Sequence, residues 1–148
     1  MNKENNNKQT VDFVSFKKGF VSPNMPIITL YQNNKEFNFL IDTGSNRNML
    51  NSETLEDLEY QLLNTDNNAV QGIDGGINKV QECKATFSYG DKQFCYNYLI
   101  SNLKAVFDGI KDEHGIKLHG MIGSEFLHDQ QYVLDFQHLI AYSKIWYI

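Results

Sequence analysis

Apolar and polar residues alternate with a two-residue period over much of this chain, and the strands that the pattern predicts come in pairs. Across residues 82–100, Ala85, Phe87, Tyr89, Phe94, Tyr96 and Tyr98 fall on one face, while Lys84, Thr86, Ser88, Gln93 and Asn97 fall largely on the other. That is the signature of a sheet with one buried face. If Gly90 and Asp91 form a two-residue turn, Phe87 faces Phe94, Ala85 faces Tyr96 and Cys83 faces Tyr98. Earlier in the chain, residues 27–31 and 36–41 read as a hairpin about Asn33 and Asn34, approached through Pro23 and Pro26. Val11, Phe13 and Ser15 predict a first strand with a turn at 17–19, and residues 132–136 and 139–142 predict a last hairpin about Gln137 and His138.

Helical spacing interrupts this pattern in three places. Ser52 and Glu53 offer a cap and a first helical position, and Leu55, Leu58 and Leu62 follow at i, i+3 and i+7 as one apolar stripe. Leu103, Val106, Phe107 and Ile110 keep helical spacing up to His114 and Gly115, a natural helix stop. Ser124 is placed to cap a helix running through Phe126 and Leu127 toward Gln130. The expected fold class is therefore mainly β with two or three short helices.

Three stretches carry candidate chemistry. In the first, strand formers Phe37, Phe39, Leu40 and Ile41 deliver Asp42 into Thr43, Gly44 and Ser45, a sharp turn in which Gly44 is free to take backbone angles closed to other residues. The second runs from Val70 to Val80, where two strand-like ends surround Gly72, Ile73, Asp74, Gly75 and Gly76, a tip whose glycines make it costly to order. The third is Met121, Ile122 and Gly123 after residues 116–120, two apolar residues and a glycine directly before a helix. Each has a plain structural reading as well: an Asx-type turn, an ordinary hairpin tip and a core strand.

Taken in this order and spacing, the three stretches resemble the retropepsin-like group, the retroviral-type aspartic proteases. The resemblance covers residues 10–142 and implies a single-lobe acid protease fold, a closed β-barrel. It implies that Asp42, Thr43 and Gly44 form the catalytic loop, with Ser45 supporting it by donating to the outer carboxylate oxygen. Gly72, Ile73, Asp74 and Gly75 would belong to a flap over the substrate, with one residue inserted, and Met121 and Ile122 would line substrate pockets beside the loop. The family's helix usually begins with an arginine paired to an acid just past the loop; Ser124 stands at that place, and Arg47 with Glu125 could supply the link with the charges exchanged. The helix at 103–114 has no counterpart in the smallest retroviral enzymes.

Hydrolysis by this chemistry needs two carboxylates sharing one proton. Only one Asp-Thr-Gly or Asp-Ser-Gly triple occurs, and Asp74, Asp108 and Asp135 lack the following Thr-Gly or Ser-Gly. The resemblance therefore implies a homodimer in which two Asp42 residues meet on a twofold axis, an aspartic endopeptidase acting on a peptide or protein substrate. The alternative is a peptide-binding or dimerisation module that keeps the fold without useful catalysis.

Composition narrows the field. A chain of 148 residues can bury one core without disulfides or metal, so residues 10–148 read as a single domain behind a polar arm at 1–9. A net charge of −5 with scattered basic residues argues against nucleic acid as a partner. Cys83 and Cys95 point to opposite faces of their hairpin, so two free thiols and a reducing compartment are expected. With no cysteine pairs or histidines at ligand spacing, neither a metal nor another cofactor is expected. No stretch is apolar enough to span a bilayer, and the polar N-terminus lacks a signal peptide's apolar region. The expected location is cytoplasmic, although a leader removed beforehand would leave no trace.

Overall fold

The computed structural model describes residues 11–63, 69–71, 77–79 and 81–144. The strands in chain order are β1 (Val11–Ser15), β2 (Ile27–Gln32), β3 (Lys35–Ile41), β4 (Met49–Asn51), β5 (Gln61–Leu63), β6 (Ala69–Gln71), β7 (Ile77–Lys79), β8 (Gln81–Tyr89), β9 (Lys92–Ser101), β10 (Gly120–Ile122), β11 (Val133–Asp135) and β12 (Ile140–Lys144). Two α-helices, α1 (Lys104–His114) and α2 (Ser124–Asp129), and two 3-10 segments, Lys17–Phe20 and Ser52–Asp57, complete the described elements.

The main sheet runs β2–β3–β10–β4–β9–β8–β5, and β2 also pairs with β8 at Tyr31 and Ser88. That extra pairing closes six strands into a barrel and leaves β5 as an appendage on β8. The expected registers are present. Phe87 faces Phe94, Ala85 faces Tyr96 and Cys83 faces Tyr98, while Asn33 and Asn34 hold positive φ values of 50° and 63° between β2 and β3, the geometry a two-residue hairpin turn requires. Inside the barrel Phe37, Phe39, Phe87 and Tyr98 are fully buried, and their rings meet edge to face at 5.0–5.7 Å.

From Phe37 onward β3 is buried on both faces, because Phe37, Phe39 and Ile41 enter the main core while Leu40 packs on a second cluster. On its second side α1 seals a separate cluster of Ile27, Phe107, Ile116 and Leu118, with Leu103, Ile110 and Met121 packed around it. This is what the helix at 103–114 does in the fold. Val106, expected in the same stripe, instead points to solvent. Gly115 ends the helix at φ 74°, as a left-handed stop.

A second, three-stranded sheet, β1–β12–β11, joins the two ends of the described chain. Val14 and Ala141 pair across it and face the main core, whereas Phe13 turns outward.

Two helical expectations need correction. The stripe of Leu55, Leu58 and Leu62 does not exist as a helix: the 3-10 segment ends at Asp57, Leu58 is already extended, and Leu62 sits in β5, more than half exposed. Ser124 does not cap α2 with its side chain; Gly123 occupies the cap position and Ser124 is the first helical residue. The expected arm at 1–9 lies outside the described residues.

Candidate active site

Strand β3 ends by delivering Asp42 beyond the barrel wall. The β10 strand runs parallel beside it, Met121 opposite Leu40 and Ile122 opposite Ile41, and the Asp42 N–H extends that ladder by donating to the Ile122 carbonyl at 2.9 Å. The chain then reverses. Ser45 N–H donates to the Asp42 carbonyl at 3.2 Å, and Gly44 N–H donates to Asp42 Oδ1 at 3.0 Å. The carboxylate is thus half-buried at the mouth of a rigid strand, with Thr43 and Gly44 exposed beside it.

Two expectations about this turn change. The φ of Gly44 lies outside the left-handed region, so conformational freedom is not why glycine stands there; a Cβ would come within 3.3 Å of Asp42 Oδ1, and closeness to the carboxylate is the reason. Ser45 Oγ donates to the Arg47 carbonyl at 2.8 Å, not to the Asp42 carboxylate. It tightens the loop from within.

The junction of β10 and α2 is stitched to the loop residue by residue. Ser124 N–H reaches the Ser45 carbonyl at 2.8 Å, and Glu125 N–H reaches the Asn46 carbonyl at 3.4 Å. Gly123 is pressed so close that a Cβ there would stand 2.5 Å from the Arg47 carbonyl oxygen and 2.8 Å from that of Ser45. One side chain takes part: Asn48, buried, accepts the Gly123 N–H at 2.9 Å and donates to the Asn97 carbonyl at 3.4 Å. Nothing in the local sequence distinguishes Asn48 from the other asparagines, because both of its partners lie far along the chain.

Arg47 does not pair with Glu125. Its Nη2 is 2.7 Å from Oε1 of Glu82, a nearly buried acid on β8. Arg47, Glu82 and Glu125 nevertheless line one polar cavity of about 400 Å³, together with Asn48, Lys84, Cys95, Tyr96 and Asn97.

Ile122 is wholly enclosed in the main core. The expectation that its side chain lines a substrate pocket is therefore wrong, and its contribution to the site is the carbonyl that holds Asp42. Met121 is half-buried against the cluster beneath α1. Gly72, Ile73, Asp74, Gly75 and Gly76 lie outside the described residues, although β6 and β7 on either side pair antiparallel, Gln71 opposite Ile77. Of the other acids, Asp108 pairs with Lys104 on α1. Asp135 accepts from His138 and from the Gln137 backbone, and the His138 hydrogen bonds hold its carboxyl below the usual carboxylate range. Neither has the surroundings of Asp42. Among the described residues no group of three His, Cys, Asp or Glu side chains could hold a metal ion, and no helix is long and apolar enough to cross a membrane.

A search of solved structures finds this fold elsewhere. Over 91% of this chain and 91% of the other, it is similar to a retropepsin-like aspartic protease from Rickettsia conorii, with a TM-score of 0.50 and 14% identity. The chain has the retropepsin-like fold. The inhibitor-bound EIAV protease matches 78% of the chain and 96% of its own length, with a TM-score of 0.51 and 14% identity. The retroviral protease-like domain of Ddi1 from Leishmania major matches 82% and 94%, with a TM-score of 0.51 and 13% identity. No protein-family model matches the chain, and neither does any curated protein. At such identities the retropepsin-like likeness is one of fold, and the chemistry has to be argued from this chain's own residues.

Proposed function

We propose that the chain is one subunit of a homodimeric aspartic endopeptidase. The observation that carries this reading is Asp42 itself. It is a half-buried carboxylate on the end of a rigid strand, steadied by the Gly44 N–H, in a loop that occurs once in the chain. Two such loops facing across a twofold axis make a pair of like charges that share one proton. The ionised carboxylate takes a proton from a water held between the two, and the protonated one donates to the scissile carbonyl oxygen. The resulting tetrahedral species collapses when the amide nitrogen is protonated.

In this reading Thr43, exposed beside the carboxylate, joins the two loops across the axis, and Gly44 holds each carboxylate by its backbone N–H. Gly72, Ile73, Asp74 and Gly75, between β6 and β7, and Met121 beside the loop are the proposed substrate contacts. The domain spans residues 10–148. It needs no cofactor, its partners are a second copy and a polypeptide, and its two free cysteines suit a reducing, cytoplasmic setting. Like the dimer, these are parts of the proposal.

A peptide-binding module without catalysis is the second reading, and one observation favours it: Ser45 Oγ is committed to Arg47 and is not available to the carboxylate. Incubation with a denatured protein substrate at several pH values decides between the two. The endopeptidase reading expects cleavage that is strongest at mildly acidic pH, stops with a statine-type inhibitor and is lost in a folded Asp42→Asn variant. Cleavage that survives Asp42→Asn refutes it.

A further inference from the structure

The loop that carries Asp42 is fixed at its start by the Ile122 carbonyl, and it must also be fixed where it leaves for β4. Asn48 stands there. Its carbonyl accepts the Leu99 N–H at 2.9 Å, its Oδ1 accepts the Gly123 N–H at 2.9 Å, and its Nδ2 donates to the Asn97 carbonyl. Because the partners are a backbone N–H and a backbone C=O, the orientation of the amide is determined by them. The residue is only 5% exposed, and a buried amide is retained at a loop end when its hydrogen bonds are made.

Gly123 lies next to Ile122, whose carbonyl receives the Asp42 N–H. The single peptide group between Ile122 and Gly123 therefore grips the loop at both of its ends, its carbonyl accepting the Asp42 N–H and its N–H donating to the Asn48 side chain. We propose that Asn48 is a positioning residue for Asp42, acting through the Gly123 N–H to hold the carboxylate loop in the geometry that the dyad requires. The proposal rests on the endopeptidase reading for its kinetic consequence but not for its structural one. Asn48 touches no reacting atom, so its loss misplaces the carboxylate and lowers kcat, and it leaves substrate affinity nearly unchanged.

The test compares the unaltered protein with Asn48→Leu, which has similar volume and no acceptor, and Asn48→Asp, which keeps an acceptor for Gly123. Arg47, Glu82, Lys84 and Glu125 are the charged groups around this position, so all assays are run at one mildly acidic pH. Peptide cleavage by Asn48→Leu should fall about 30-fold in kcat with KM within about threefold, on the scale of a small misplacement at a reacting centre. Asn48→Asp should recover kcat to within about threefold of the unaltered protein, because the Gly123 bond returns. Amide exchange at Gly123 and at residues 42–48 should quicken in Asn48→Leu while the β8–β9 hairpin stays protected.

The proposal is overturned by a folded Asn48→Leu with unchanged kcat, or by an Asn48→Asp that protects Gly123 yet is as slow as the leucine variant. Should Asn48→Leu not fold, Asn48→Asp is compared with the unaltered protein alone: Gly123 protected and kcat within about threefold supports the proposal, and Gly123 protected with kcat about 30-fold down overturns it. If the unaltered protein cleaves no peptide, the endopeptidase reading fails. The exchange data then decide the positioning role alone: unchanged protection of the loop contradicts it, and lost protection confined to the loop and Gly123 supports it.

Discussion

The Gly44 N–H donates to Asp42 Oδ1 across 3.0 Å, and a methyl group on Gly44 would stand 3.3 Å from the same oxygen. Contact that tight makes the neighbour give by a few tenths of an ångström, and the neighbour is the carboxylate. Gly44→Ala is therefore expected to fold with a melting temperature within a few degrees of the unaltered protein, since no left-handed backbone angle is lost. Its kcat for peptide cleavage should drop about 10- to 100-fold, because only the reacting group is displaced. A Gly44→Ala variant that is fully active, or unfolded, contradicts this reading of the turn.

Gly123→Ala should behave in the opposite way. Its Cβ meets the backbone oxygens of Arg47 and Ser45, neither of which can swing aside. Forcing them apart is expected to cost about 2–3 kcal/mol of folding stability, in the range of overpacked cores, and urea denaturation measures it. A loss under about 0.5 kcal/mol, the scale of an ordinary surface substitution, would count against the close packing of this junction.

Arg47 and Glu125 separate two accounts of the same charge. Glu82 is almost fully buried and Arg47 holds it at 2.7 Å. Arg47→Met takes a guanidinium away from this nearly buried carboxylate and should cost about 1–2 kcal/mol, below the range for fully buried pairs because Arg47 is partly exposed. Exposed Glu125→Ala should lie within about 0.5 kcal/mol of neutral. Equal losses in the two variants would restore the Arg47–Glu125 link.

The reach of the sequence reading follows from the range of the interactions involved. The β8–β9 register was legible because a two-residue period and Gly90 specify it locally. The Asp42 loop was legible because an apolar run must end somewhere and Asp-Thr-Gly turns it. Leu62 misled because three leucines at helical spacing look alike whether or not the backbone continues as a helix. What decides is the extended conformation of Leu58, φ −119° and ψ 139°, which no leucine spacing encodes. Asn48 and Arg47 were illegible in their roles, since their partners are 75, 49 and 35 positions away.

His119 gives the fold a pH dependence. Its Nδ1 accepts the Asn38 N–H at 2.9 Å, its ring packs edge-on to Phe37, and burial, with a smaller contribution from Lys117, lowers its pKa to about 4. A protonated Nδ1 could not accept that bond. Between pH 6.5 and about 4 the unfolded chain binds more protons than the folded one. The stabilisation is thus complete above 6.5 and is lost as pH falls through the folded value. With the ring partly exposed, the loss is on the order of 2 kcal/mol over that window. Urea midpoints for the unaltered protein and His119→Gln should converge as pH falls from 7 to 4, and parallel curves would show that His119 does not contribute.

The two thiols should react differently. Cys83 is buried opposite Tyr98, and burial, aided by the neighbouring Glu82 charge, pushes its thiol up to about 11. Cys95 is exposed on the other face. A thiol reagent at neutral pH should label Cys95 within minutes and Cys83 only after denaturant is added, with mass spectrometry of the peptides assigning each. Rapid labelling of Cys83 in the folded protein would mean that the barrel opens far more readily than its packing implies.

The central proposal is that one chain holds half of the active site. Its most direct test is specific peptidase activity measured over a dilution series, alongside the solution mass at each concentration. Activity per subunit should fall in step with the fraction of dimer and vanish where only single chains remain. Undiminished activity per subunit in a solution of single chains would contradict it.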